Sequence, residues 1–363
     1  MSHAICVQHF DQATLENAVS AIEKAVAQAG LRRHSDYTSR VWLFCSPHFH
    51  TILHSIAQVA VAKTNCMNVW GGCVSGLLFG DKVIGHDPVI LVAVFGKEFE
   101  PNNEQLNPYA VNVGFCIAEN DSEANLSCTN SNTNTSSHPI ANTLGLLSYG
   151  ANYAKMPRIE QGRISNAVAT PQQLQVYNPL ILNSEGLTFL SEPCVVNQVN
   201  GLFLIQANGL NAIQALNAPT EQTRPVGLRL HVVHEQGESW IPVMDIHADG
   251  TLGLAAPVLK GQRVRLAKRT PKAIEHDLDH WFPLIKQHFG GQTPQLGVLF
   301  AGFERSQMCH EQDDDIAAVV NAFPNTQWIG LFGQAAWLEH NTEVIAPPRN
   351  NRLSLCLFNP NHV

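Results

Sequence analysis

Charge is scarce in this chain, and basic charge is scarcer. Only 14% of its 363 residues are Asp, Glu, Lys or Arg, and 30 acids against 22 Lys and Arg leave a formal net charge of −8. Phosphate binding rests on clustered Lys and Arg, so this balance argues against a nucleic-acid partner. The nearest thing to a basic run is Arg263, Arg265, Lys268, Arg269 and Lys272. The alternation in Arg263-Val264-Arg265-Leu266 reads it as the wet face of a strand. Long apolar runs are also missing: no segment approaches the ~20 residues needed to cross a bilayer. The start, Met1-Ser2-His3-Ala4-Ile5-Cys6, has neither the basic nor the apolar region of a signal peptide. The nine cysteines are odd in number and scattered from Cys6 to Cys356, several inside apolar runs. That is how small hydrophobes look in a reducing compartment, not how a disulfide framework looks. These features predict a cytoplasmic protein with no membrane insertion.

Catalytic signatures are absent too. There is no Gly-x-Ser-x-Gly elbow, no P-loop, no His-Glu-x-x-His and no glycine fingerprint opening a helix. Cys73, beside a glycine turn, is the candidate nucleophile, but the sequence places no histidine next to it. A buried, inert thiol is the stronger reading. The expectation is a protein that is not an enzyme; the alternative is an enzyme acting on a small carboxylate or amide.

What is present is apolar patterning. At 45% hydrophobic, the chain can bury a large core, as two domains or one bilobed domain. Leu15, Val19, Ile22 and Val26 recur at helical spacing over residues 13–29, with Gly30 placed to end the helix. Val41-Trp42-Leu43-Phe44-Cys45 reads as a strand covered on both faces. Ser46-Pro47 opens a second helix to about Lys63, and 68–79 and 88–95 are further strands. The C-terminal region repeats this order. Thr270-Pro271 caps a helix with a kink expected at Pro283, ended by Gly290-Gly291. Then come a strand at 297–301, a helix begun by Asp313-Asp314-Asp315, and strands at 328–336 and 353–358. The predicted class is mixed α/β (α+β), with two similar lobes, each a mixed sheet covered by helices. Between them lies an antiparallel, hairpin-rich middle with turns at Glu185-Gly186, Asn200-Gly201 and Asp249-Gly250. Residues 119–143, dominated by Asn, Ser and Thr, read as a mobile loop.

Four pieces in order carry a family resemblance: Leu259 to Leu266, Leu296 to Arg305, Trp328 to Ala335, and Arg352 to Phe358. Together they resemble the C-terminal half of the FIST family of bacterial-type sensory proteins. Trp70-Gly71-Gly72-Cys73-Val74-Ser75-Gly76 resembles that family's N-terminal signature. The resemblance implies a FIST N-type domain over 1–194 and a FIST C-type domain over 195–363. It further implies small-molecule sensing in signal transduction, with amino acids or related metabolites as ligands. No kinase or cyclase segment is present, so the output would pass to a separate partner such as a histidine kinase or a cyclic-dinucleotide enzyme. The implied ligand-binding residues are Gly72, Cys73, Ser75, Gly76, Arg305, Gly333 and Gln334. Successive backbone N–H groups at such glycines can hold an anion, whereas the bland reading is a bulged, buried strand. The chain departs from the family where Ala335 and Ala336 stand in place of a glycine and a glutamate, and at Gly302 to Ser306, which keeps only the arginine of a Cys-x-Gly-Arg-Gly pattern.

Seventeen histidines raise the question of metal or haem, since some FIST-like proteins are haem-based nitric oxide sensors. His50 and His54 fall four apart on the predicted helix, as do His276 and His280 on a later one. The stripe Phe49, Ile52, Leu53, Ile56 and Val59 leaves His50 and His54 at its wet edge. No cofactor is expected.

Overall fold

Two stretches far apart in the chain build two sheets of the same strand pattern. The computed structural model describes residues 3–30, 37–99, 110–117, 142–148, 158–165, 172–219, 227–234, 237–302, 314–333, 335–339 and 353–359. The first stretch runs β1 (His3–His9), α1 (Leu15–Ala29), β2 (Arg40–Cys45), α2 (Leu53–Thr64), β3 (Val69–Cys73), β4 (Gly76–Phe79), β5 (Lys82–Ile84) and β6 (Val89–Phe95). A short hairpin, β7 (Arg158–Glu160) and β8 (Arg163–Ser165), is followed by β9 (Tyr177–Ser184). The second stretch then runs α3 (Pro271–His288), β10 (Leu296–Gly302), α4 (Asp314–Ala322), β11 (Gln327–Gly333) and β12 (Leu353–Asn359). The strand orders are β1-β6-β2-β3-β7-β8 and β9-β12-β10-β11-β4-β5. In each, the central pair (β2 with β3, β10 with β11) is parallel and the next strand inward (β6 or β12) is antiparallel. A hairpin completes each sheet on the side of β3 or β11.

The burial pattern explains why these strands are apolar throughout. Trp42, Phe44, Leu91 and Phe95 of the first sheet share one cluster with Val298, Phe300, Leu331 and Phe358 of the second. The inner faces of the two sheets therefore pack on each other. Alternate residues Val41, Leu43, Ile90 and Val92 point the other way, onto Ala18, Ile22 and Ala25 of α1 and Leu53, Ile56 and Ala60 of α2. A strand buried on both faces has no polar side, which is the pattern of β2. Burying each such side chain is worth about 1.5–3 kcal/mol.

Local chemistry sets the helix ends. Thr14 Oγ1 accepts the Asn17 N–H at 3.2 Å, and Gly30 closes α1 at φ 66°. Thr270 Oγ1 accepts the Ala273 N–H at 3.1 Å at the start of α3, which continues through Pro283. The Gly291 N–H donates to Lys286 O at 2.8 Å beyond its end. Ser46 differs from expectation. Its hydroxyl accepts the Val89 N–H at 3.1 Å instead of capping, and the segment Pro47–Ile52 begins as a 3₁₀ turn before α2.

By internal contacts the chain divides into residues 1–183 with 282–363, and residues 184–281. The cut expected at 194/195 falls inside the second unit, where Cys194–Asn200 pairs with both Phe203–Ala207 and Arg263–Arg269. That unit is antiparallel, as the hairpin turns required. Strand Leu228–His234 pairs with Gly237–Ile246 on one side and with Arg263–Arg269 on the other, which closes the sheet into a barrel. Leu204, Leu230, Val232, Leu252 and Leu266 lie in its core. The first unit also holds a smaller sheet of strands Gln172–Gln175, Ala110–Ile117, Asn142–Ser148 and Ala335–Glu339, in that order. Of the loop expected at 119–143, residues 119–141 lie outside the described residues, and Asn142 and Thr143 open a strand.

Candidate functional site

The glycine motif after α2 starts with a close approach of backbones. Gly71 and Gly72 have φ of 151° and 156°, which side chains rarely adopt. A Cβ on Gly71 would lie 1.8 Å from Leu43 O on the parallel neighbour β2. Cys73 ends β3, and the Val74 N–H donates to Cys45 O at 2.9 Å. One residue later the chain changes sheets. The Ser75 N–H donates to Phe332 O at 3.0 Å, and Gly76 stands opposite Phe332 in the β4–β11 ladder. Gly333 follows, ending β11 in register with Gly302.

Five of the residues predicted from sequence (Gly72, Cys73, Ser75, Gly76 and Gly333) thus come together where the two sheets exchange a strand. Arg305 and Gln334 lie outside the described residues. The junction is also where both parallel pairs end, at Cys45 and Cys73 and at Gly302 and Gly333. Crevices outside the carboxyl ends of parallel strands are favoured ligand positions. Ser75 is half-buried, whereas Gly72, Cys73, Gly76 and Gly333 are buried. A Cβ on Gly76 would meet Val83 Cγ1 at 3.2 Å, Ile84 O at 3.3 Å and Phe332 Cβ at 3.4 Å. Packing therefore accounts for this glycine whether or not a ligand binds nearby.

The two thiols at the junction lie against each other. Cys45 Sγ lies 3.7 Å from Cys73 Sγ, and both residues are buried. The hydrogen bond with Cys73, and then burial, push the Cys45 thiol well above its ordinary pKa. A neutral, buried thiol reacts slowly. The nearby His48 instead shares a hydrogen bond with Ser46 Oγ, at 3.2 Å from Nδ1.

The histidine pairs stay wet. His50 and His54 are exposed while Phe49, Leu53 and Ile56 are buried, and His276 and His280 are exposed as well. Among the described residues no group of three His, Cys, Asp or Glu is placed to hold a metal ion. Sequence reasoning did not find the groove that α2 forms with the β7–β8 hairpin, about 640 Å³ in volume. Its walls lie roughly 100 residues apart in the chain, and only the Gln161-Gly162 turn hints at a hairpin there. No protein-family model matches this chain, and no curated protein matches it.

Proposed function

We propose that the chain is a small-molecule sensor of the FIST type that passes its signal to a separate partner protein in the cytoplasm. The observation that carries this reading is the junction of the two repeats. Glycine strands that resemble the family's two signatures meet at the Ser75–Phe332 hydrogen bond, where both parallel strand pairs end. A ligand seated across that seam would touch both repeats at once, so its binding would couple their positions. Differential contact of that kind is what a sensor needs to shift a conformational equilibrium. Amino acids and related small metabolites are the ligand class, and a histidine kinase or cyclic-dinucleotide enzyme is the output partner. The buried thiols support binding without chemistry. The test is a thermal-shift screen of metabolites, since a ligand at a hundredfold above its Kd adds about 2.7 kcal/mol. Each hit is then incubated with the protein and analysed by mass spectrometry. Recovery of the hit unchanged supports a sensor. Steady turnover that Cys73→Ser abolishes would establish the enzyme reading instead.

A further inference from the structure

The groove between α2 and the β7–β8 hairpin is built from fixed parts. Its helix side carries His54, Gln58 and Val61, spaced four and three apart so that they share one face. Its hairpin side carries Gly162, Arg163 and Ile164, and Met67 also lines it. The hairpin tip is pinned: the Gly162 N–H donates to Val69 O at 3.1 Å. A Cβ on Gly162 would lie 2.5 Å from Val61 Cγ2, so the tip also sits directly on the helix. Gly162 takes φ 70° to make that turn. Arg163 follows this pinned turn and lines the groove together with His54 and Gln58.

The chemistry of the groove is one-sided. Arg163 brings a cation, Gln58 and His54 can donate hydrogen bonds, and among the described residues no carboxylate lines the groove. Among the described residues Arg163 has no ion-pair partner, unlike the neighbouring Lys63, which pairs with Glu23, and Arg158, which pairs with Glu160. The apolar remainder is Val61, Met67 and Ile164, with Met67 left 59% exposed. Methionine at a pocket wall adapts to ligands of different shape. The volume of about 640 Å³ is in the range that takes small organic ligands.

We infer that this groove binds a small monocarboxylate with an apolar body and no amino group. The carboxylate pairs with Arg163 and receives hydrogen bonds from Gln58 and His54, and the body lies on Val61, Met67 and Ile164. An α-ammonium would find no acid among the lining residues, so the free amino acid is the wrong partner and its deaminated counterpart the right one. None of these residues belongs to the glycine-strand junction, and the inference stands independently of the sensor reading.

Calorimetric titration of the full chain tests it, with phenylacetate and 4-methyl-2-oxopentanoate as probes and phenylacetamide, L-phenylalanine and inorganic phosphate as comparators. The expected result is saturable one-site binding of at least one acid. The neutral amide and the zwitterion should bind about tenfold or more weakly, as should the acid to Arg163→Gln. Lys63→Gln, which removes a nearby paired cation, should leave the affinity within about twofold. Arg163 is exposed, so the variant should fold, which circular dichroism checks independently. Absence of saturable binding by both acids overturns the inference. So does equal binding of the amide, of phenylalanine or of phosphate, and so does undiminished affinity in a folded Arg163→Gln.

Discussion

Replacing Gly71 by alanine should be among the most damaging single-methyl changes this protein can suffer. The new Cβ would stand 1.8 Å from Leu43 O and 2.6 Å from Leu43 C, both backbone atoms of the strand that pairs with it. No rotamer change relieves such a clash. Either β3 retreats from β2 or residue 71 leaves its φ of 151°. Holding a side chain in so sparsely populated a conformation costs about 1–3 kcal/mol. Forcing extra volume into a packed core costs about 1–3 kcal/mol more. The two together give a loss of roughly 2–6 kcal/mol, a large part of the ~5–15 kcal/mol that holds a typical domain folded. Two controls calibrate it. Gly30→Ala has nothing within 4 Å of the added Cβ and bears only its φ of 66°, for a loss of about 1–2 kcal/mol. Gly76→Ala meets Val83 Cγ1 at 3.2 Å, Ile84 O at 3.3 Å and Phe332 Cβ at 3.4 Å, tight contacts without overlap, and should lose about 1–3 kcal/mol. Guanidinium unfolding followed by tryptophan fluorescence reads the difference, because Trp42 and Trp70 sit 5.4 Å apart in the core beside these strands. A Gly71→Ala variant no less stable than Gly30→Ala would refute the close approach of β3 to Leu43.

Two further outcomes follow from buried groups. His3 is held down to about 4, by burial first and the chain's amino-terminal charge second, against 6.5 for a free imidazole. The unfolded chain therefore takes up a proton below about pH 6.5 that the folded state refuses until about pH 4, so stability is complete above that window and falls across it on acidification. His3→Gln should flatten the decline between pH 6.5 and 4 in urea titrations, and an unchanged profile would refute burial as its cause. Cys6, Cys45, Cys66, Cys73, Cys194 and Cys356 are all buried, with the Cys356 thiol pushed up by burial. Iodoacetamide should leave all six unmodified in the native protein and modify them after unfolding, as read by peptide mapping. Rapid native labelling of Cys73 would contradict the structure.

The repeat was legible because its evidence is local. Apolar runs at 41–45 and 297–301, and the helix punctuation at Gly30, Thr270 and Gly290-Gly291, all act within a few residues, and these elements formed where expected. Ser46 misled for the opposite reason. A serine before a proline is a good cap in isolation, but here a backbone N–H forty-three residues away, at Val89, claims its hydroxyl. Pairing partners were hidden in the same way. Nothing in Gly76–Phe79 announces that it leaves the sheet of β3 to pair with β11, and nothing in Leu228–His234 reveals that two strands will flank it and close a barrel. Alternation shows which side of a strand is buried, but not which strand lies next to it.

The same limit decides how the glycines should be read. From sequence, glycine at matching places in two repeats suggested backbone laid open for a ligand. In the structure the space is taken. Leu43 backbone fills it at Gly71, the Trp328 ring lies 2.4 Å from a Cβ built on Gly297, and Leu78 Cβ lies 2.4 Å from one built on Gly330. Each of these glycines is accounted for by a neighbour that fills the space a side chain would need, which needs no ligand. A binding reading must rest on what remains accessible at the seam, and among the described candidates that is Ser75. Ser75→Tyr keeps the backbone N–H that donates to Phe332 O and places bulk on a half-buried side chain. It should remove the thermal stabilisation given by any screening hit while leaving the variant folded, with an intrinsic loss of about 1 kcal/mol. Gly76→Ala should do the reverse, losing stability and keeping the ligand response. If Ser75→Tyr folds and still responds in full, the ligand does not sit at the junction, and the glycine strands serve packing alone.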